Sequence, residues 1–347
     1  MKNLLIITQK VDKNDQLLGF FVGWIARLAK KFDKITILCL EKGEFNLPSN
    51  VKVLSLGKDR GAGKLKQLFI FYSLFFTLRN DYDAVFVHMN PIWVVLGGWF
   101  WRLVGKKIFF WYTSGGVTAK LKLAEKFADI ILTASKESFR LQSKKVVVTG
   151  HGIDTELFKP INEQRPATNN NKIKILSVGR ISPVKNYEVL VEAAKILADK
   201  GADFSITMIG ESAIGRDKEY EKKLKLKIKN LKLENHFNFI GKINNRELVS
   251  FYQNHDIFVH LSKTGSVDKV LLEAIACGMN VLSSSDSARN FLPSELVFEE
   301  NNARELADKI EETYKKNFGS QLRQYVVENH NLDKLIDKIM GIVKRGC

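Results

Sequence analysis

Twice along this chain of 347 residues, short apolar runs alternate with longer stretches of helical spacing, and that alternation restricts the fold more than any single residue does. In the first half the runs are Asn3–Thr8, Ile35–Leu40, Val51–Leu56, Ala84–His88, Ile108–Tyr112, Ile130–Thr133 and Val146–Val148. In the second they are Ile173–Val178, Ser205–Ile209, Phe237–Ile240, Ile257–Leu261 and one more beginning at Val281. Between them lie stretches such as Leu17–Lys31, Asn186–Asp199 and Asp217–Asn230, whose apolar residues recur at helical spacing. Short apolar strands separated by helices predict an α/β chain with parallel sheets covered on both faces. The composition changes at Lys159–Lys172 (KPINEQRPATNNNK), which is rich in Pro and Asn and poor in apolar residues, as a linker is. Two doubly wound, Rossmann-like domains facing a central cleft are therefore expected, over 1–160 and 173–330, joined by a linker at 161–172. Ala303–Lys316 and Leu322–Lys344 read as closing helices.

At 45% hydrophobic and 27% charged residues the chain belongs with folded proteins and not with disordered ones. Cys39, Cys277 and Cys347 are far apart, and the first two sit in apolar runs, so small core residues in a reducing, cytoplasmic compartment are expected. No signal peptide is expected, because Lys2 leads into an apolar run that is too short. The net charge of +16 is uneven: residues 1–160 carry 25 Lys and Arg against 13 Asp and Glu, and the remainder carry 29 against 25. A nucleic acid, an anionic membrane and a phosphorylated acceptor all suit that field. No nucleic-acid-binding motif accompanies it, so nucleic acid is not the expected partner. Lys58–Arg79 runs from basic to aromatic and apolar, and its apolar part, Leu68–Leu78, is too short to span a bilayer. It reads either as a buried helix or as one resting in a membrane interface, with Lys58, Arg60, Lys64 and Lys66 over anionic headgroups.

Candidate chemistry gathers after the strands, where ligands of parallel sheets lie. Lys263–Ser284 (KTGSVDKVLLEAIACGMNVLSS) reads as a polar loop, a helix stopped at Gly278 and a strand. Its first turn, Asp268 to Val270, offers backbone N–H groups suited to a phosphate. Glu273 is one carboxylate in an apolar helix; it either meets hydroxyl donors such as those of a ribose or simply points to water. Gly179 permits close approach, and Arg180 and Lys185 leave the same strand end. Opposite the Asp268 amides they make a diphosphate clamp, or they are two ordinary surface cations. In the first half His88, Thr113 and Ser114 occupy the corresponding edge; Gly19, near the start of the first helix, would let a ligand approach the backbone, and for it packing is as good a reading.

The stretches SVGRISPVKNYEVLVEAAKIL, GHGIDTELFKP and DKVLLEAIACGMNVLSS resemble a family 4 glycosyltransferase of the retaining GT-B class, specifically in the second half and more loosely in the first. The resemblance implies a GT-B-like fold and a nucleotide-diphosphate-sugar donor held by the C-terminal domain. It implies an acceptor bound by the N-terminal domain and a last helix, 331–347, that packs back on that domain. Arg180, Lys185 and Glu273 would then serve catalysis, the first two on the diphosphate and Glu273 on the ribose. Backbone at Gly241 and Ile243 would meet the base. Two departures stand out. The earlier glutamate of the usual pair would fall at Gly265, where Gly265, Ser266, Asp268, Lys269 and Val270 belong to a TGSxDK variant and would meet donor groups instead. The loop at Thr113–Gly115 lacks the histidine that many members carry.

The expected function is a metal-independent hexosyltransferase without a cofactor, moving a hexose from a UDP- or GDP-sugar to a glycan or lipid-linked acceptor of a cell-envelope polysaccharide. The enzyme would be peripheral on the inner membrane face. The alternative is a catalytically weak protein that holds a sugar nucleotide or glycan in the same cleft.

Overall fold

A computed structural model of the chain describes residues 2–161, 172–213, 215–263 and 265–345. All of the expected linker except its two end residues lies outside the described residues, as do Thr264 and Cys347. Two compact units result, one made of residues 1–152 with 332–347 and the other of 153–331.

The first unit contains β1 (Asn3–Val11), α1 (Gly19–Ala29), β2 (Lys34–Lys42), β3 (Val51–Ser55), α2 (Lys64–Thr77), β4 (Ala84–His88), α3 (Pro91–Leu103), β5 (Lys107–Trp111), α4 (Ala119–Phe127), β6 (Ile130–Thr133) and β7 (Val146–Val148). Its sheet runs in the order β3-β2-β1-β4-β5-β6-β7, and every pairing is parallel. Alternate residues of a strand point to opposite faces, so each strand feeds two cores. Leu5, Ile7, Val85, Val87, Ile108 and Phe110 pack on one face with α2, α3 and α4. Leu4, Ile6, Phe86, Phe109 and Trp111 pack on the other with α1.

The second unit contains β8 (Ile173–Val178), α5 (Tyr187–Asp199), β9 (Phe204–Ile209), α6 (Gly215–Asn230), β10 (Phe237–Gly241), α7 (Leu248–Asn254), β11 (Ile257–His260), α8 (Lys269–Ala276), β12 (Asn280–Ser283), α9 (Ala303–Tyr314) and α10 (Gly319–Asn329). Its sheet, β10-β9-β8-β11-β12, is again wholly parallel.

The chain then returns to the first unit as α11 (Leu332–Arg345), which lies against α1. Leu332, Leu335, Ile336, Ile339, Met340, Ile342 and Val343 form its buried stripe. Burying a side chain of this size stabilises by about 1.5–3 kcal/mol, whereas an exposed ion pair contributes about 1 kcal/mol or less. The pairs Arg27–Asp333 and Lys31–Asp337, both at 2.8 Å, therefore orient α11, and the apolar stripe holds it.

Two expectations from sequence are corrected. The single closing helix Leu322–Lys344 is two helices, because the chain passes from one unit to the other between Asn331 and Leu332. The first domain ends at Gly152 and not at 160, since Ile153 and Phe158 are buried in the second core. Arg323 ties that segment down by donating to the carbonyls of Phe158 and Thr155.

All five tryptophans lie at or before Trp111, so their fluorescence reads the first unit alone. Ile339→Asp should destabilise that unit in urea by about 3 kcal/mol or more, because an unpaired carboxylate enters an apolar contact. Asp337→Ala should change it by no more than about 0.5 kcal/mol. Equal effects of the two substitutions would show that α11 is not held by its stripe.

Candidate functional site

Because the second sheet is parallel throughout, its strands end at one edge. Three glycines line that edge side by side. Gly179 follows β8 and donates its amide to Ile209 O at 2.9 Å; Gly210 follows β9 and donates to Gly241 O at 2.8 Å. A Cβ on Gly210 would sit 2.0 Å from the carbonyl oxygen of Gly179, and its φ of +139° is one that L side chains avoid. A Cβ on Gly179 would meet Lys185 Cε and Tyr187 Oη at 3.2 Å. Small residues thus leave this edge open to a ligand's approach and let the Lys185 stem lie flat against it.

Lys185 crosses from the loop after β8 to the loop before α8. Its ammonium pairs with Asp268 Oδ2 and donates to Ser262 Oγ at 3.3 Å. Asp268 Oδ2 also takes a 2.9 Å hydrogen bond from His260 Nε2, and Ser283 Oγ meets His260 Nδ1 at 3.0 Å. Burial alone would raise the Asp268 pKa; the Lys185 charge and the His260 hydrogen bond outweigh it and hold the carboxyl well below the usual range. Asp268 is also the N-cap residue of α8, yet its side chain makes no capping bond. An aspartate there ordinarily satisfies an amide of the first turn. Lys185 and His260 have drawn it away, so the Asp268 carboxylate does not cap the turn holding Lys269 and Val270.

Arg180 is bound more loosely. Its side chain is 55% exposed, and its Nε lies 3.8 Å from Asp217 Oδ2, an ion pair too long for a hydrogen bond. Asp217 is buried in the first turn of α6, and that oxygen has no hydrogen-bond partner. Lys185 and Arg180 therefore share a loop but not a state: one ammonium is held by a carboxylate and a hydroxyl and one guanidinium is mostly in water.

Of the two readings the sequence allowed for Glu273, the structure overturns the one that points it to water, for the side chain is fully buried. Its oxygens are met by protein donors: Asn245 Nδ2 at 2.9 Å, Tyr252 Oη at 3.3 Å and Lys269 Nζ at 2.8 Å. With those three donors in place the carboxylate is structural in this conformation, and Lys269, one turn earlier, is 21% exposed.

The base-side expectation falls on the turn at Gly241, which has a φ of +80° and is hydrogen-bonded to Gly210; Ile243 packs against the second core. Gly265 has a φ of +70° and, like Ser266, is only partly exposed. Among the described residues no three His, Cys, Asp or Glu side chains converge as a metal centre requires.

In the first unit, the predicted residues do share the C-terminal sheet edge, but their roles differ. His88 is 1% exposed, stacked on Phe21 with centroids 3.9 Å apart, and bonded through Nδ1 to Thr8 Oγ1 at 3.0 Å. Burial pushes its pKa down to about 3, so it is a neutral core ring and not a surface base. A Cβ on Gly19 would come within 2.9 Å of Lys13 O, which favours the packing reading. Thr113 donates to Met89 Sδ at 3.2 Å, and Ser114 remains half-buried in the loop after β5.

Sequence reasoning missed Gly210, Asp217, Asn245, Tyr252 and His260. His260 had a readable signal, a polar residue closing an apolar strand, the same one that singled out His88. Asn245 and Tyr252 had none, for only the fold brings them to Glu273.

Residues 158–333, just over half of the chain, match the family model "Glycosyl transferases group 1". The chain is 29% identical over 177 residues to a putative colanic acid biosynthesis glycosyltransferase, WcaL, of Escherichia coli; the match spans 48% of this chain and 41% of that protein. It is 30% identical over 151 residues to the amylovoran biosynthesis glycosyltransferase AmsK of Erwinia amylovora, spanning 42% of this chain and 35% of that one. The chain thus covers less than half the length of these two relatives. Among solved structures, Anabaena HepE in complex with UDP and glucose superposes with a TM-score of 0.78 at 17% identity, over 99% of this chain and 100% of that one. At that identity the likeness concerns the fold.

The His88 placement has a pH consequence. In the unfolded chain the ring titrates near 6.5, and in the folded one near 3, so between those values the unfolded state binds the extra proton. Stability is fully present above pH 6.5 and falls as the pH drops through that window. His88→Asn should shrink the loss in unfolding free energy between pH 7 and pH 5 by about 2 kcal/mol, measured by urea titration of the Trp signal. An unchanged pH dependence would mean that the ring is not buried neutral.

Proposed function

Since the chain belongs to the glycosyl transferases group 1 family, we propose that it moves a hexose from a UDP- or GDP-linked donor to a glycan or lipid-linked acceptor of a cell-envelope polysaccharide. The observation that carries this reading is the edge of the second sheet. There a nearly buried ammonium, a helix first turn that its own N-cap carboxylate leaves uncapped and a row of glycines meet at one place. Each suits a diphosphate: the ammonium by charge, the turn by its amides and the glycines by leaving room for close approach.

In this reading Lys185 and the first turn of α8 take the two phosphates, with Arg180 swinging from its loose pairing with Asp217 to join them. As the sugar–phosphate bond breaks, negative charge collects on the leaving diphosphate, where these groups already stand. Glu273 acts indirectly, holding Asn245 and Lys269. The turn at Gly241 and Ile243 borders the base. The acceptor belongs to the first unit, near Thr113 and Ser114; its hydroxyl attacks from the face the diphosphate leaves and passes its proton to an oxygen of the departing diphosphate, so the anomeric configuration is retained. No cofactor is required.

A membrane-borne acceptor is supported by α2 and α3. Phe71 and Phe75 of α2 are buried, whereas Leu65, Phe69 and Phe76 on the same helix are 85%, 75% and 44% exposed. Phe76 touches Phe100 of α3, on which Trp99 and Leu103 are also exposed. Exposed Lys58, Lys64, Lys66, Arg79 and Arg102 accompany them. No helix among the described residues is long and apolar enough to cross a membrane. An apolar stripe with cations beside it fits the surface of an anionic bilayer, and we place the enzyme there, on the cytoplasmic face.

Two experiments test these readings. With a panel of UDP- and GDP-sugars, Lys185→Ala should lower transfer at least about 100-fold and Arg180→Ala by less, because one cation is held in place and the other is not. Nucleotide binding without any turnover across acceptors would instead make the chain a sugar-nucleotide-binding protein. In flotation with anionic vesicles at low salt, Phe69→Glu should reduce binding about tenfold or more; failure of the unmodified chain to float would remove the membrane part.

A further inference from the structure

Asp268 answers to two groups at once. The ammonium of Lys185 and Nε2 of His260 both hold Oδ2, and the amides of its own helix go without it. His260 is in turn fixed by Ser283 Oγ, which accepts from the Ser285 amide at 3.2 Å. His260 and Ser283 are almost wholly buried, so the carboxylate is pinned from the protein interior. Oδ1 takes none of these bonds, and the side chain is 19% exposed. Nothing else on the described part of the loop from Ser262 to Asp268 carries a negative charge.

A diphosphate that reaches Lys185 must therefore take the ammonium from Asp268. The carboxylate then keeps His260 and faces a phosphate of its own sign in a partly desolvated place, which is costly. A bare nucleoside diphosphate has no hydroxyl beyond its terminal phosphate to relieve that. A diphosphate bearing a hexose brings several hydroxyl donors, and a carboxylate with an open oxygen accepts them.

We propose that Asp268, positioned by His260, is a specificity-determining residue that makes the site prefer a sugar-bearing diphosphate to the bare nucleoside diphosphate. The inference rests on the reading that Lys185 binds the donor's diphosphate. The bare diphosphate is also the product of transfer, so the same residue favours its departure: as the sugar leaves, Asp268 reclaims Lys185.

Calorimetric titration of the full chain with UDP and UDP-glucose, and with GDP and GDP-mannose, tests this. Asp268→Asn should tighten binding of the bare diphosphate about tenfold, because its competitor for Lys185 loses its charge. Binding of the sugar nucleotide should tighten much less or weaken, so that the preference between the two collapses. His260→Gln should shift the preference in the same direction by a smaller factor, and it carries the test if Asp268→Asn does not fold by thermal melting. Weaker binding of the bare diphosphate to Asp268→Asn would overturn the inference, making the carboxylate a strut for Lys185. An equal shift for both ligands of a pair would overturn it too, and either result leaves the donor reading standing. An unmodified chain that binds neither pair would overturn the donor reading and this inference with it.

Discussion

The pair between Lys185 and Asp268 joins two loops 83 residues apart in sequence, and the candidate site is organised around it. A lysine that keeps only 18% of its side chain exposed needs a counter-charge whenever the site is empty. Asp268 supplies it, and in doing so gives up the capping role its position invites. One interaction thus has two consequences: a cation stays ordered and nearly dry, and the start of α8 goes without the Asp268 carboxylate as its cap. Arg180 shows what happens without such a partner, for its longer and looser pairing with Asp217 leaves it half in water.

Parallel topology explains why these groups meet. β8 and β11 are neighbours, so the loop carrying Arg180 and Lys185 and the loop carrying Asp268 leave adjacent strands at the same end. A backbone bond from the Lys263 amide to Val184 O, 3.0 Å, knits them directly. On the other side of β8 the glycines at 179, 210 and 241 continue the edge without side chains. Cations and helix tip on one flank and bare backbone on the other make a floor that suits a flat, charged and hydrogen-bonding ligand.

The alternation of strands and helices was legible because it depends on local apolar spacing; Lys185 was legible as a cation on the loop after a strand, and Asp268 as the polar start of a helix. What the spacing of apolar residues could not reveal was who faces whom. Glu273 reads the same in sequence whether its partners are ribose hydroxyls, water or protein; Asn245 and Tyr252, 28 and 21 residues earlier, decide the matter. The helix at Lys64–Thr77 was ambiguous between core and interface for a similar reason. Its apolar residues surround the axis, and the structure divides them, Phe71 and Phe75 inward and Leu65 and Phe69 outward. The domain boundary was misread because linker-like composition marks where a chain lacks apolar residues, whereas the contacts change hands several residues earlier, at Ile153.

Asp268 and Glu273 stand on the same short helix, and the contrast between them separates holding from exchanging. Glu273 has donors on both oxygens and no exposed surface, so any new partner must first evict a protein group. Asp268 has all its donors on one oxygen and the other left over, so a partner can be lost on one side and gained on the other. A buried carboxylate that has lost its cation is strongly destabilising unless a donor replaces it promptly. That physical demand, more than any feature of the loop's shape, links what happens at the diphosphate to what is attached to it.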